Sequence, residues 1–168
     1  DGKLLAQGEV GEICIRGPWV TRGYHDMPDS ADRFFNGYWR SGDAGTIDAD
    51  GYLKLTDRLK DVIKSGGEWI SSIDMENALM GIPAVADATV VGVAHPRWEE
   101  RPLALVVLKP GHELTTEQVW AHLSLTFAKW QMPDQVLFVD KIPKTSVGKL
   151  NKKVVRAEYR DIYTQASA

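Results

Sequence analysis

An α+β fold is predicted, with a small β-rich N-terminal segment followed by a compact α+β part in which a short antiparallel sheet is flanked by helices. Three observations predict it. Two glycine-centred reversals occur in the first half, at Asp50-Gly51 and Ser65-Gly66-Gly67. Two continuous valine-rich runs follow, Ala86 to Val93 and Leu103 to Leu108. Two helix-cap signatures, Ser71 with Asp74 and Thr115 with Gln118, complete the pattern. With 168 residues and 43% apolar content, the chain can fill one sizeable core or two small ones. A formal charge of −3 gives no broad positive field, which argues against nucleic acid or an anionic membrane as main partner. No apolar run approaches the roughly 20 residues of a membrane helix, and residues 1–20 lack the layout of a signal peptide, so a soluble chain in a cytoplasmic setting is expected.

The opening from Asp1-Gly2-Lys3 to Gly11 combines polar turn chemistry with no initiator methionine and reads as an entry into the middle of a larger fold. Glu12 to Arg16 is a short strand, Gly17-Pro18 breaks it, and Gly23 to Asp32 is a turn-rich connection that builds little core. The lone cysteine, Cys14, lies in Ile13-Cys14-Ile15, where a buried thiol behaves as a small hydrophobe. With one cysteine, no intrachain disulfide or cysteine-based zinc site can form. Thr46-Ile47 and Tyr52 to Leu55 flank Asp48-Ala49-Asp50-Gly51, whose Asp-Gly end supplies the positive φ of a tight hairpin.

Asp61 to Lys64 and Glu68 to Ser71 form a second hairpin around Ser65-Gly66-Gly67, a tip that can approach a ligand closely. A helix then runs from about Ser72 to Met80 and stops by Gly81-Ile82-Pro83. The two valine-rich runs pair antiparallel through the polar stretch His95 to Glu100. Behind the Thr115 cap, Val119, Leu123 and Phe127 share one helical face that covers the sheet. Val136 to Val139 is a short strand, and after the loop Lys141 to Lys153 the spacing of Val155, Tyr159 and Ile162 gives a final helix. There are no repeats, and the polar Asp57-Arg58-Leu59-Lys60-Asp61 is the best candidate for a joint between two parts.

Several stretches can carry chemistry, each with a plainer alternative. In Trp39-Arg40-Ser41-Gly42-Asp43, a carboxylate follows a small, flexible pair and can accept hydrogen bonds from two neighbouring hydroxyls, as on a ribose; it reads equally as a solvated turn aspartate. Pro143 to Lys149 is a polar loop that holds Lys149 out as a point charge suited to a phosphate or a developing oxyanion, or simply as a surface lysine. It is not a Walker loop, because Pro143 stands where glycine is needed and Leu150 offers no metal-binding hydroxyl. The mixed charges from Asp57 to Lys64 also fit an exposed strand edge. His25, His95, His112 and His122 are scattered, so no metal site is predicted.

In their order along the chain, these stretches resemble the adenylate-forming superfamily of acyl-CoA ligases, luciferases and peptide-synthetase adenylation domains. Gly37 to Asp43 is similar to its aromatic-basic-Thr-Gly-Asp motif, with Ser41 a departure that keeps the hydroxyl. Asp57 to Glu68 resembles its hinge-and-hairpin motif, and Pro143 to Lys149 its terminal catalytic-lysine motif. Ser65 to Ser72 looks most like the fatty-acyl-CoA ligase branch, which handles short to medium or longer chains.

The resemblance implies that residues 1–59 are the C-terminal end of a large adenylation domain and residues 60–168 its mobile C-terminal lid. It implies ATP, Mg2+ and CoA as substrates or cofactors of the whole enzyme, with a small carboxylic acid as partner. Asp43 is expected to bind the ribose hydroxyls with help from Arg58, Lys60 to be the pivot, and Lys149 to be the catalytic lysine of adenylation. Lys64, Gly66 and Gly67 are expected to line the CoA channel. Two rivals remain: an adenylating enzyme that loads a carrier protein, and, for the chain by itself, a catalytically inactive binding or interaction module. The end at Ala168, with no carrier domain following the last helix, favours free CoA over a carrier.

Overall fold

A computed structural model describes residues 2–164. The readings made at Asp1 and at the ending on Ala168 lie outside the described residues. The chain divides into two units, Asp1–Lys60 and Asp61–Ala168.

The first unit is built on one long strand. β1 (Gly11–Ile15), β2 (Phe34–Phe35) and β4 (Leu53–Arg58) all pair antiparallel with β3 (Tyr38–Ile47). The β3–β4 reversal falls at Asp48–Gly51, where the Asp48 carboxylate accepts from the amides of Asp50 and Tyr52. Trp39 to Asp43, read from sequence as a turn, instead lies inside β3. The strand absorbs its glycines through irregular register, with shifts opposite Glu12–Cys14 and between Ala44 and Gly45. A Cβ on Gly45 would meet the Lys54 carbonyl at 2.6 Å, so strands β3 and β4 approach there as closely as only glycine allows. Cys14 is exposed, not buried. It is the cross-strand partner of Arg40 and shares its surroundings with Glu12 and Arg40, so its neighbours are charged groups rather than a core. Ile47, Tyr52, Leu53 and Leu55 also remain exposed.

The second unit is a five-stranded sheet with helices on both faces. Its spine is the hairpin of β7 (Val85–His95) and β8 (Glu99–Leu108), in full antiparallel register from Asp87↔Val107 to His95↔Glu99. The strands outrun the sequence expectation, leaving only Pro96–Trp98 as the tip. β5 (Ile63–Ser65) pairs with β6 (Glu68–Ile70) and touches β8 at Ser65↔Glu99. β9 (Gln135–Phe138) lies parallel to β8, the one parallel pair among the described strands.

Alternation along β7 and β8 makes two cores. Ala88, Val90, Ala104 and Val106 point to one face, where α1 (Ser72–Met80) brings Met75 and Leu79 and α2 (Thr116–Leu123) brings Val119 and Leu123. Val91, Val93, Leu103 and Leu105 point to the other, against Ile142, Leu150 and Val155 of α3 (Lys152–Glu158). Both cap signatures are formed: Ser71 Oγ accepts from Asp74 N, and Thr115 and Gln118 close a reciprocal capping box. α3 ends earlier than its stripe suggests, yet Tyr159 and Ile162 still pack on the second core from the turns that follow. No helix among the described residues is long and apolar enough to cross a membrane.

Candidate functional site

In the first unit, Asp43 and Arg58 are cross-strand partners, and Arg58 Nε lies 3.4 Å from Asp43 Oδ1. The pair is partly solvated, with the arginine side chain 61% exposed, so it positions more than it stabilises. The neighbouring Gly42 is gripped on both sides. Its amide donates to Glu12 Oε1 at 3.3 Å, and its carbonyl accepts from Leu59 N at 2.9 Å. Glu12 Oε2 also takes two hydrogen bonds from Arg40, at 2.8 and 2.6 Å, and Ser41 Oγ accepts from Asp43 N. An open cleft of about 500 Å³ borders this stretch, lined among others by Asp32, Arg33, Ser41, Arg58 and Lys60. Asp43 flanks the cleft without lining it. Lys60 follows β4 in an exposed turn.

In the second unit, Gly66 and Gly67 form the two-residue turn between β5 and β6, with φ of +61° and +87°, as the tightest hairpin geometry requires. Lys64 projects exposed from β5 while its amide donates to Glu100 Oε2 at 2.9 Å. Gly66 N donates to the Trp98 carbonyl at 3.0 Å, so the turn rests on the β7–β8 tip.

Lys149 is exposed on a small loop that closes on itself. Its carbonyl accepts from Thr145 N, its amide donates to Thr145 Oγ1, and Lys144 bridges to Leu150. Lys144 Nζ pairs with Asp87 at 2.9 Å, which ties the loop to the start of β7. The Gly66 turn and the Lys149 loop thus sit at opposite ends of one hairpin, eight strand residues apart, or roughly 26 Å at about 3.3 Å per residue. Lys64, Gly66 and Gly67 are brought together; Lys149 is not brought to them.

Sequence reasoning missed three supporting clusters. Glu12 gathers Arg40 and Gly42 across a strand pair, and no local pattern reveals that. Glu76 accepts from Thr89 Oγ1, Val90 N and Lys152 Nζ, each at 2.8–2.9 Å, and Lys152 also donates to Ser72 Oγ. Lys152 lies three residues before Val155 on the stripe that was read as apolar, and this misfit was the available signal. Arg101 is 8% exposed and bonds to Asp134, Ser65 Oγ and two carbonyls. It occupies an inward position of the alternation Arg101, Leu103, Leu105, again a charge where the period calls for an apolar residue. Nearby, the buried Tyr163 hydroxyl donates to Pro102 O, and burial, with Asp134 adding to it, pushes its pKa far up.

The sequence pattern of the family described as AMP-binding enzyme C-terminal domain matches residues 74–149. The chain is 48% identical over 166 residues to a long-chain-fatty-acid–CoA ligase of Thermus thermophilus, covering 97% of this chain and 30% of that protein. It is 42% identical to a 3-methylmercaptopropionyl-CoA ligase of Ruegeria lacuscaerulensis, covering 98% of this chain and 31% of the relative. The crystal structure of ATP-bound MatB from Rhodopseudomonas palustris matches with a TM-score of 0.87 and 35% identity, over 95% of this chain and 32% of the other. The chain therefore spans about a third of the length of these relatives. By sequence and by fold, it belongs to the adenylate-forming superfamily, and residues 74–149 carry the superfamily's AMP-binding enzyme C-terminal domain.

Proposed function

We propose that this chain is the C-terminal part of an ATP-dependent ligase that joins a fatty acid of short, medium or longer chain to CoA, with residues 60–168 as its moving lid. In the first half-reaction, a carboxylate oxygen attacks the α-phosphorus of magnesium-bound ATP, the bond to the β-phosphate oxygen breaks, and pyrophosphate leaves. Lys149 supplies positive charge where negative charge accumulates around phosphorus. Asp43 holds the ribose hydroxyls, and Arg58 orients Asp43 from the facing strand. In the second half-reaction, the CoA sulfur attacks the acyl carbon of the adenylate, the thiol proton passes to solvent, and AMP leaves as the thioester forms. A lysine charge has little to stabilise in that step. The side-chain-free turn at Gly66-Gly67, with Lys64 beside it, borders the thiol's path instead.

The observation that carries this reading is the separation of Lys149 and Gly66 along one hairpin. A single reaction centre can be served by both only in turn, by reorienting the unit that holds them, and Lys60 is the pivot. Reorientation of that kind also shields the adenylate from water. The names of the relatives support acid–CoA ligation, and their differing acids leave the acyl group to the rest of the protein. In the full-length protein, Lys149→Ala is expected to lower ATP–pyrophosphate exchange about 100- to 1,000-fold, the usual effect of removing one preorganised stabiliser of charge. Conversion of supplied acyl-adenylate to acyl-CoA should persist. Equal loss of both half-reactions in a folded variant refutes the role of Lys149.

A further inference from the structure

Three short contacts, one after another, hold the Gly66 turn on the β7–β8 tip and the start of β8: Lys64 N to Glu100 Oε2, Ser65 Oγ from Arg101 Nη1 at 3.0 Å, and Gly66 N to Trp98 O. The turn needs them. Strands of three residues, such as β5 and β6, do not fix their own position in water. Gly66 sits so near the Trp98 ring that an added Cβ would lie 3.3 Å from it, so the seat is also tight.

Arg101 is the centre of this seat. Its Nε and Nη2 both reach Asp134 Oδ1, at 2.9 and 2.6 Å; Nη2 also donates to Met132 O at 2.8 Å. Nη1 donates to Trp130 O at 2.6 Å and to Ser65 Oγ. All five N–H donors of the guanidinium are thereby engaged, in a group 8% exposed. Burying a guanidinium on one carboxylate adds little net stability compared with apolar packing, so stability alone does not explain why arginine stands here. Its planar fork does something an apolar residue cannot: it fixes β5, β8 and the segment 130–134 in one geometry.

We infer that Arg101 is a positioning residue for the thioester-forming step, acting through Ser65 to hold the Gly66-Gly67 turn against β8 and the 130–134 segment. The inference rests on the ligase reading above and adds to it a residue that touches neither phosphorus nor sulfur. Among the described residues, the hydrogen bonds of Arg101 go to Ser65, Trp130, Met132 and Asp134, whereas the Lys149 loop is tied to Asp87 at the far end of the hairpin. The two half-reactions should therefore respond differently when the seat is loosened.

The test uses the full-length protein with Ser65→Ala and Arg101→Lys, each checked for folding by circular dichroism. ATP–pyrophosphate exchange reads the first half-reaction, and acyl-CoA formation from supplied acyl-adenylate reads the second. Ser65→Ala is expected to lower kcat/KM for CoA about 10-fold, the loss of one charge-assisted hydrogen bond, with exchange within about 2-fold of wild type. Arg101→Lys, which forfeits the fork, should show the same split with a larger loss. If Arg101→Lys does not fold, Ser65→Ala decides alone. Equal loss in both half-reactions, or no loss in either, overturns the inference while leaving the ligase reading intact. A wild-type protein inactive in both half-reactions overturns that reading and this inference with it.

Discussion

Glu76→Ala should be among the most damaging single changes in the second unit, although Glu76 lies in no motif. Its side chain is 14% exposed and that of Lys152 facing it 12%, so neither charge can turn to water without local rearrangement. Truncation removes one buried counter-charge and the acceptor of two hydrogen bonds, orphaning the fully buried Thr89 hydroxyl and the Val90 amide on the open edge of β7. Breaking a buried ion pair from one side costs about 3–5 kcal/mol. At about 4 °C per kcal/mol for a unit of about 100 residues, the melting temperature should fall by about 12–20 °C. Glu76→Gln, which keeps an acceptor for Thr89 but leaves Lys152 uncompensated, should fall between. Replacing Glu76 and Lys152 together by methionine should recover most of the loss, because the buried charge goes with its partner. Thermal and urea unfolding followed by circular dichroism measure all four proteins. A loss below about 1 kcal/mol for Glu76→Ala, the range of exposed ion pairs, would refute the reading of Glu76 and Lys152 as a buried pair.

Two further expectations concern ionisation. Burial raises the Tyr163 phenol above its ordinary pKa, so the folded state holds that proton more tightly than the unfolded chain; the associated stability is complete at neutral pH and declines as pH rises past about 10. Urea midpoints across that range should fall more steeply for wild type than for Tyr163→Phe, and parallel curves would contradict the assignment. Cys14 is exposed, yet partial desolvation in β1, with Glu12 adding to it, raises its thiol pKa. Iodoacetamide should therefore alkylate it more slowly than free cysteine at pH about 8, and a faster reaction would mean that the opposing pull of the Arg40 guanidinium dominates.

What was legible in the sequence is what depends on neighbours along the chain. Ser71 and Thr115 announce their helices because a cap is a contact over three residues. Gly66-Gly67 announces a reversal because positive φ is a local demand. The reading failed where geometry is set across strands. Trp39 to Asp43 looks like a turn until β1, β2 and β4 are seen pairing along it, and Gly45, two residues beyond, is where β3 and β4 crowd. Cys14 was given to the interior by its apolar neighbours, but one-residue alternation does not say which side of a strand faces the core. The candidate site divides in the same way. Its motif residues are proposed from their order along the chain, whereas Glu12, Glu76 and Arg101 act on partners 28 or more, 13 or more, and 29 or more residues away, which no local pattern announces.

The parallel placement of β9 beside β8 has a consequence for how the polypeptide comes together. A parallel neighbour cannot arrive by a tight reversal; the chain must travel from Leu108 through α2 and back before Gln135 can meet Leu103. On a ribosome, β5 to β8 and α1 emerge first and can assemble through short-range pairing, while Asp134 is still unsynthesised. Until then the Arg101 side chain stays hydrated, and the glycine bend it will later anchor has no fixed perch. The Gly66-Gly67 bend is thus among the last parts of the unit to set, and partial unfolding that begins by releasing β9 would loosen it first.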